Sequence, residues 1–287
     1  MGNYYYLISG LADISLDDSK PALTVEQFRS EVFDSLSGPD RKVMELILLE
    51  NDCRNLISAL RASATTDNQD FTVLENSLYD KEQLENLIAC VKTQESCPDY
   101  IPQFMYRFVQ EWLDDSWHDL AGFAEDRLWA LFYEYAMQCD NGFVSSWYGF
   151  NLDVNNIQTA ITARKYSIDM QNVIVGNNDT ATALRTSGAR DWGLSQELDY
   201  FDDVVRLLEE DDLSQRERKF DMLRWRWLED NSFFNYFTVE RLFSYLVRLG
   251  MVERWNNLDR EEGQRLFRKL IGELKEQTSV PAEFKTN

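Results

Sequence analysis

A single histidine, His118, stands in 287 residues. Zinc and di-iron centres built on imidazole need several convergent ligands, so His118, between Trp117 and Asp119, reads as a hydrogen-bonded helix-start residue. The four cysteines, Cys53, Cys90, Cys97 and Cys139, contain no Cys-x-x-Cys pair; this argues against a thiolate metal site and suits buried thiols in a reducing compartment. Neither metal nor cofactor is expected. Only 5 prolines and 12 glycines punctuate the chain, fewer than the many turns of an all-β or βα architecture require. Basic residues are scarce, 29 Lys and Arg against 50 Asp and Glu, and the net charge of −21 repels phosphate backbones and anionic lipid headgroups. Nucleic acid is therefore not an expected partner. No apolar run approaches the roughly 20 residues that span a bilayer, and Met1 to Asp13 has no basic region ahead of its short apolar stretch. A cytoplasmic chain without direct membrane insertion is expected. Also missing are Gly-x-x-x-x-Gly-Lys-Ser/Thr and Gly-x-Gly-x-x-Gly, which cradle phosphate, and the Gly-x-Ser-x-Gly nucleophile elbow. No catalytic residue is assigned, and the chain reads as a non-enzyme.

What is present is helical periodicity. Capping side chains stand three residues ahead of an acid or amide at Thr24/Gln27, Asp80/Gln83, Ser214/Glu217 and Asp259/Glu262. With the apolar spacing they predict helices over 24–36, 40–63, 81–93, 102–116, 118–139, 144–170, 195–209, 215–230, 238–250 and 259–277. Polar loops are expected at 65–70, 95–99 and 176–188, a flexible tail at 279–287, and either strand or helix at 4–8. The fold class is all-α.

An internal repeat organises this pattern. Leu49 to Ala62 aligns without gaps to Phe150 to Ala163 at a constant offset of 101, pairing Asp52 with Asp153, Asn55 with Asn156 and Ala59 with Ala160. Leu46, Leu49, Cys53, Leu56 and Leu60 form one apolar seam, matched by Trp147, Phe150, Val154, Ile157 and Ile161. Beside it, Asp52, Asn55, Ala59 and Ala62 share a face with small residues that let another helix approach. A carboxylate there is expected to accept hydrogen bonds from an Arg or from free backbone N–H groups, because a buried unpaired charge is prohibitive. Glu253 and Asn256 echo the acid and amide another 100 residues on. The units are 1–100, 101–200 and a weaker 201–278.

Two features compete for a function. Asp199, Asp202 and Asp203, and Asp114, Asp115 and Asp119, would suit a magnesium-dependent helical enzyme, but 50 acids make such clusters commonplace and a solvated face is the expected reading. The run Arg224, Trp225, Arg226, Trp227 is a candidate interface, weighed against core packing with Arg stacked over the rings.

The signatures Asp52-x-x-Asn55-Leu56-x-x-Ala59-Leu60-Arg61-Ala62 and Asp153-x-x-Asn156-Ile157-x-x-Ala160-x-x-Ala163-Arg164-Lys165 resemble the repeated signature of the V-type ATPase component known as C in prokaryotes and d in eukaryotes. Tyr4, Tyr5 and Tyr6 at the start, and Ser244-Tyr245-Leu246-Val247-Arg248 with Glu253-Arg254-Trp255-Asn256-Asn257-Leu258 near the end, are similar to further features of that family. The chain also resembles an uncharacterised bacterial family associated with V-type ATPase operons. The resemblance implies a funnel of repeated helical bundles that joins the central-stalk subunits to the membrane rotor ring without chemistry of its own, peripheral at the membrane through a protein complex. A helical assembly or regulatory scaffold of that complex is the alternative. Thr162 departs from the pattern, standing where the first copy has Arg61.

Overall fold

Side-chain caps set the helix starts. Thr24 and Asp80 each form a complete capping box, with Gln27 and Gln83 respectively, and Asn141, Asn178 and Asp212 each accept an N–H from the first turn that follows. The computed structural model describes residues 4–64, 70–114 and 124–277, excluding the side chains of 260–277. Among the described residues there are twelve α-helices and no strand: α1 (Tyr5–Ser9), α2 (Val25–Val32), α3 (Gly38–Ala64), α4 (Lys81–Lys92), α5 (Gln103–Leu113), α6 (Ala124–Met137), α7 (Gly142–Tyr166), α8 (Met170–Val173), α9 (Asp179–Thr186), α10 (Phe201–Leu207), α11 (Leu213–Ser232) and α12 (Val239–Gln277). The chain is all-α.

Several boundaries differ from the sequence expectation. The two helices expected over 238–250 and 259–277 are one, because Met251, Val252 and Trp255 continue the buried stripe and packing overrides the capping signal at Asp259. Asp212, not Ser214, caps α11. The expected loop at 176–188 contains α9, whose cap, Asn178, has an acid in the first turn after it. The segment 195–209 divides into a 3-10 turn (Leu194–Gln196) and the short α10. Helix α7 stops at Tyr166, where Ser167 turns left-handed with φ 55°. His118, Asp115, Asp119 and the tail expected over 279–287 lie outside the described residues. Of the thiols only Cys53 is buried; Cys90, Cys97 and Cys139 are partly exposed.

Three helices are long, α3 with 27 residues, α7 with 25 and α12 with 39. Their beginnings meet at one end of the molecule. Tyr4 donates its backbone N–H to the Phe237 carbonyl, just ahead of α12, and its hydroxyl to Asp40 in α3, at 2.8 and 2.5 Å. Asn141, the cap of α7, donates to Glu240 of α12 at 2.8 Å. The shorter helices pack around this trio: α4, α5 and α6 follow α3, α8 to α11 follow α7, and α2 lies on α12, where the Phe28 ring stacks on Tyr245 at 5.6 Å. The two apolar seams enter one continuous core, buried throughout except for a partly exposed Ile161.

Phe28 is fully buried and belongs to the N-terminal segment that covers α12. Phe28→Ala is expected to destabilise the fold by about 3–5 kcal/mol through lost burial and a residual cavity, measured as a lowered urea midpoint.

Candidate functional site

The long helices carry paired polar residues that meet the next segment of chain. On α3, Asp52 accepts the backbone N–H groups of Leu78 and Tyr79 at 2.9 and 3.0 Å, and Asn55 accepts that of Leu74 at 2.8 Å. On α7, Asn156 accepts the N–H of Val175 at 2.9 Å and returns a bond to the Val175 carbonyl at 2.7 Å. Leu74 and Val175 lie the same distance downstream, 19 residues from Asn55 and Asn156. Asp153 accepts from the Asn178 amide and the Tyr200 hydroxyl at 2.8 and 2.9 Å. Its partners are side chains, where a backbone N–H or an Arg was expected. On α12, Glu253 accepts the N–H of Val25 at 2.7 Å and the Asn256 amide donates to the Asp18 carbonyl at 2.9 Å. Here the segment held comes from the start of the chain. In all three places the acid holds the start of a shorter helix, α4, α9 or α2, and the amide holds the loop ahead of it.

Ala59 and Ala160 are buried beside these pairs. Arg61 bridges to Glu125 at 2.5 Å on the surface. Arg164 stacks over Trp192 at 3.6 Å and donates to the carbonyls of Ala189 and Arg190, while Lys165 stands near the Tyr166 ring.

Between α3, α7 and α12 lies a cavity of about 1100 Å³. Ile47 and Tyr148, Glu50 and Asn151, and Arg54 and Asn155 line it in pairs separated by the same 101 residues. Helix α12 adds Val247, Gly250, Met251 and Arg254, and α11 closes the wall with Glu217, Asp221 and Arg224. Asp221 is buried and satisfied by three donors: it accepts Trp255 Nε1 at 2.8 Å, faces Arg224 at 3.5 Å and pairs with Arg254. Arg224 also donates to Asn151 and Asn155 at 3.0 and 3.1 Å. Burial pushes the Glu50 carboxyl up, and the charges of Arg54 and Arg224 with the Tyr148 hydroxyl pull it back. Polar groups of this kind keep a cavity hydrated and ready to exchange water for a partner's polar groups.

The Arg-Trp run divides between cavity, core and surface. Arg224 faces the cavity, the Trp227 ring stacks on Phe150 at 5.2 Å, Trp225 lies under Arg248 at 5.0 Å, and Arg226 is exposed. Asp114, Asp199 and Asp202 are exposed and Asp203 pairs with Arg206. Among the described residues no group of three or more His, Cys, Asp or Glu side chains could hold a metal ion. No helix among them is long and apolar enough to cross a membrane. Sequence reasoning missed the cavity residues Glu50, Asn151 and Asp221, because only α11 and α12 folded against α7 bring them together.

A family model described as "Protein of unknown function (DUF2764)" matches residues 1–278, and the chain belongs to that family. No curated protein matches the chain.

Burial raises the Asp52 carboxyl from 3.8 to about 6, although two backbone N–H bonds oppose the shift. The folded state therefore binds this proton more tightly than the unfolded chain. The resulting contribution is full below about pH 4 and is lost as pH rises through 6. Compared with Asp52→Asn, the native chain is expected to lose about 2 kcal/mol of relative stability between pH 4 and pH 7, measured by urea denaturation of both proteins at each pH.

Proposed function

We propose that this DUF2764 member is a non-catalytic adaptor that seats the end of a central-stalk partner in the cavity between α3, α7 and α12, as the C or d component of a V-type ATPase would, and that it joins the stalk to the membrane rotor ring. Three long helices beginning at one end and walling a cavity of about 1100 Å³, lined by both polar and apolar groups, carry this reading. The acid and amide pairs support it, because they fix the loop and helix that brace each long helix, and a part that transmits torque must resist shear. The three places held in this way also suit an architecture of similar bundles arranged as a funnel. Glu50, Asp126 and Glu217 bring carboxylates to the cavity wall, so a stalk segment with Lys or Arg at its tip would find complementary charge, and association would weaken with added salt.

Gly250 sharpens the reading. It sits within α12 on the cavity wall, and a Cβ placed there meets nothing within 4 Å. Glycine in a helix interior costs roughly 0.5–1 kcal/mol relative to alanine, and one of its uses is to let another chain approach the backbone closely. Gly250→Ala is expected to raise stability by that amount. Gly250→Trp is expected to leave the fold intact, fill the cavity and weaken binding to the V-type ATPase central-stalk subunits at least about tenfold, or about 1.4 kcal/mol. Co-purification with the native complex and titration against the isolated stalk at two salt concentrations are the measurements. Absence from the intact complex together with no stalk affinity at low salt would overturn the proposal.

A further inference from the structure

Six aromatic side chains lie open to solvent at the end of the molecule where the long helices begin. Tyr6 and Phe234 are 91% and 83% exposed, and Tyr5, Phe233, Tyr236 and Phe237 lie between 37% and 59%. They are contiguous. Tyr5 lies 5.7 Å from Tyr6 and 4.7 Å from Phe237, and the chain of contacts continues through Tyr236 and Phe233 to Phe234 with ring separations of 6.4, 6.2 and 5.1 Å. At about 150–250 Å² per aromatic side chain, these exposures amount to several hundred Å². That equals or exceeds the roughly 300–600 Å² of the largest patch on an ordinary monomer and approaches the ~800 Å² that one partner brings to a standard interface. None of the six rings lines the cavity.

Charge decides what kind of surface covers this cap. The segments that build it, residues 4–19 and 229–240, hold six carboxylates and no Lys or Arg; Asp17 pairs with Arg218, Glu229 with Arg248, and Glu240 is buried, while among the described residues Asp13, Asp18 and Asp230 have no ion-pair partner. Elsewhere the chain places its own cations over rings: Arg54 over Trp129, Lys81 over Phe71, Arg164 over Trp192 and Arg248 over Trp225. Among the described residues none of the cap rings is covered this way. A second copy, itself of net charge −21, would set the same acidic segments against one another, and an anionic bilayer requires the basic residues that these segments lack. We infer that the aromatic cap docks a partner protein whose contact surface presents Arg and Lys around an apolar patch, the cations lying over the cap's ring faces and opposite its carboxylates.

The test uses the full chain and a labelled helical peptide with leucine on one face and arginine along its flanks, with a counterpart carrying glutamate in place of arginine. Fluorescence anisotropy is expected to give binding of the arginine peptide and none of the glutamate peptide. The triple variant Phe233→Ser, Phe234→Ser, Tyr236→Ser is expected to bind at least about tenfold more weakly, a loss of about 1.4 kcal/mol. Leu213→Ser with Met222→Ser, which removes exposed apolar groups elsewhere, is expected to bind as the native chain does. Circular dichroism checks folding, and Phe234→Ser alone, at the most exposed Phe ring, serves if the triple variant unfolds, with about threefold weaker binding expected. Native affinity in the folded variants would overturn the inference. So would native-chain dimers that the variants abolish, or sedimentation with phosphatidylcholine or phosphatidylserine vesicles that depends on these rings.

Discussion

A loop that must lie against an apolar core exposes its backbone to a problem, since each N–H and C=O taken from water needs another partner. In this chain the long helices supply those partners from their own side chains. Asp52 and Asn55 on α3, Asp153 and Asn156 on α7, and Glu253 and Asn256 on α12 stand one turn apart, and each pair reaches the loop and helix start packed against it. Removing either member would strand a buried group, so the pairs fix where α4, α9 and α2 begin. The arrangement also joins the two ends of the fold. What the following loop does for α3 and α7, the first residues of the chain do for α12, so the N-terminal segment belongs spatially with the C-terminal helix.

Once the long helices are braced from outside, the space between them need not collapse. Its wall carries Glu50, Arg54, Asn151, Asp221, Arg224 and Arg254, groups whose burial without partners is strongly unfavourable. Asp221 anchors two of the arginines, which holds α11 against α12 and turns Arg224 toward α7. Polarity thus keeps the cavity open to water, while the apolar seams on other faces of the same helices stabilise the fold through burial.

The aromatic residues divide into three populations by what covers them. Trp147, Phe150 and Trp227 pack among one another in the core. Trp129, Trp192 and Trp225 each lie under an arginine. The cap rings have neither kind of cover. Acids far outnumber bases in the chain, and among the described residues no cation lies over a cap ring.

The sequence by itself determined the all-α class, the long helices α3 and α7 with their apolar seams, and the pairing of Asp52 and Asn55 with Asp153 and Asn156, because helical periodicity and a constant offset are local properties of the chain. It also disclosed Glu253 and Asn256, though not what they hold. Tertiary structure alone decided that α12 runs unbroken past Asp259, where buried Met251, Val252 and Trp255 outweigh a capping signal. It decided that Glu253 meets Val25 across 228 residues of chain. It likewise decided that Asp153 is satisfied by side chains where Asp52 takes backbone N–H groups. The cavity and the aromatic cap belong to the same class, since each gathers residues from distant segments, and proximity in space between segments without shared periodicity leaves no mark in the order of residues.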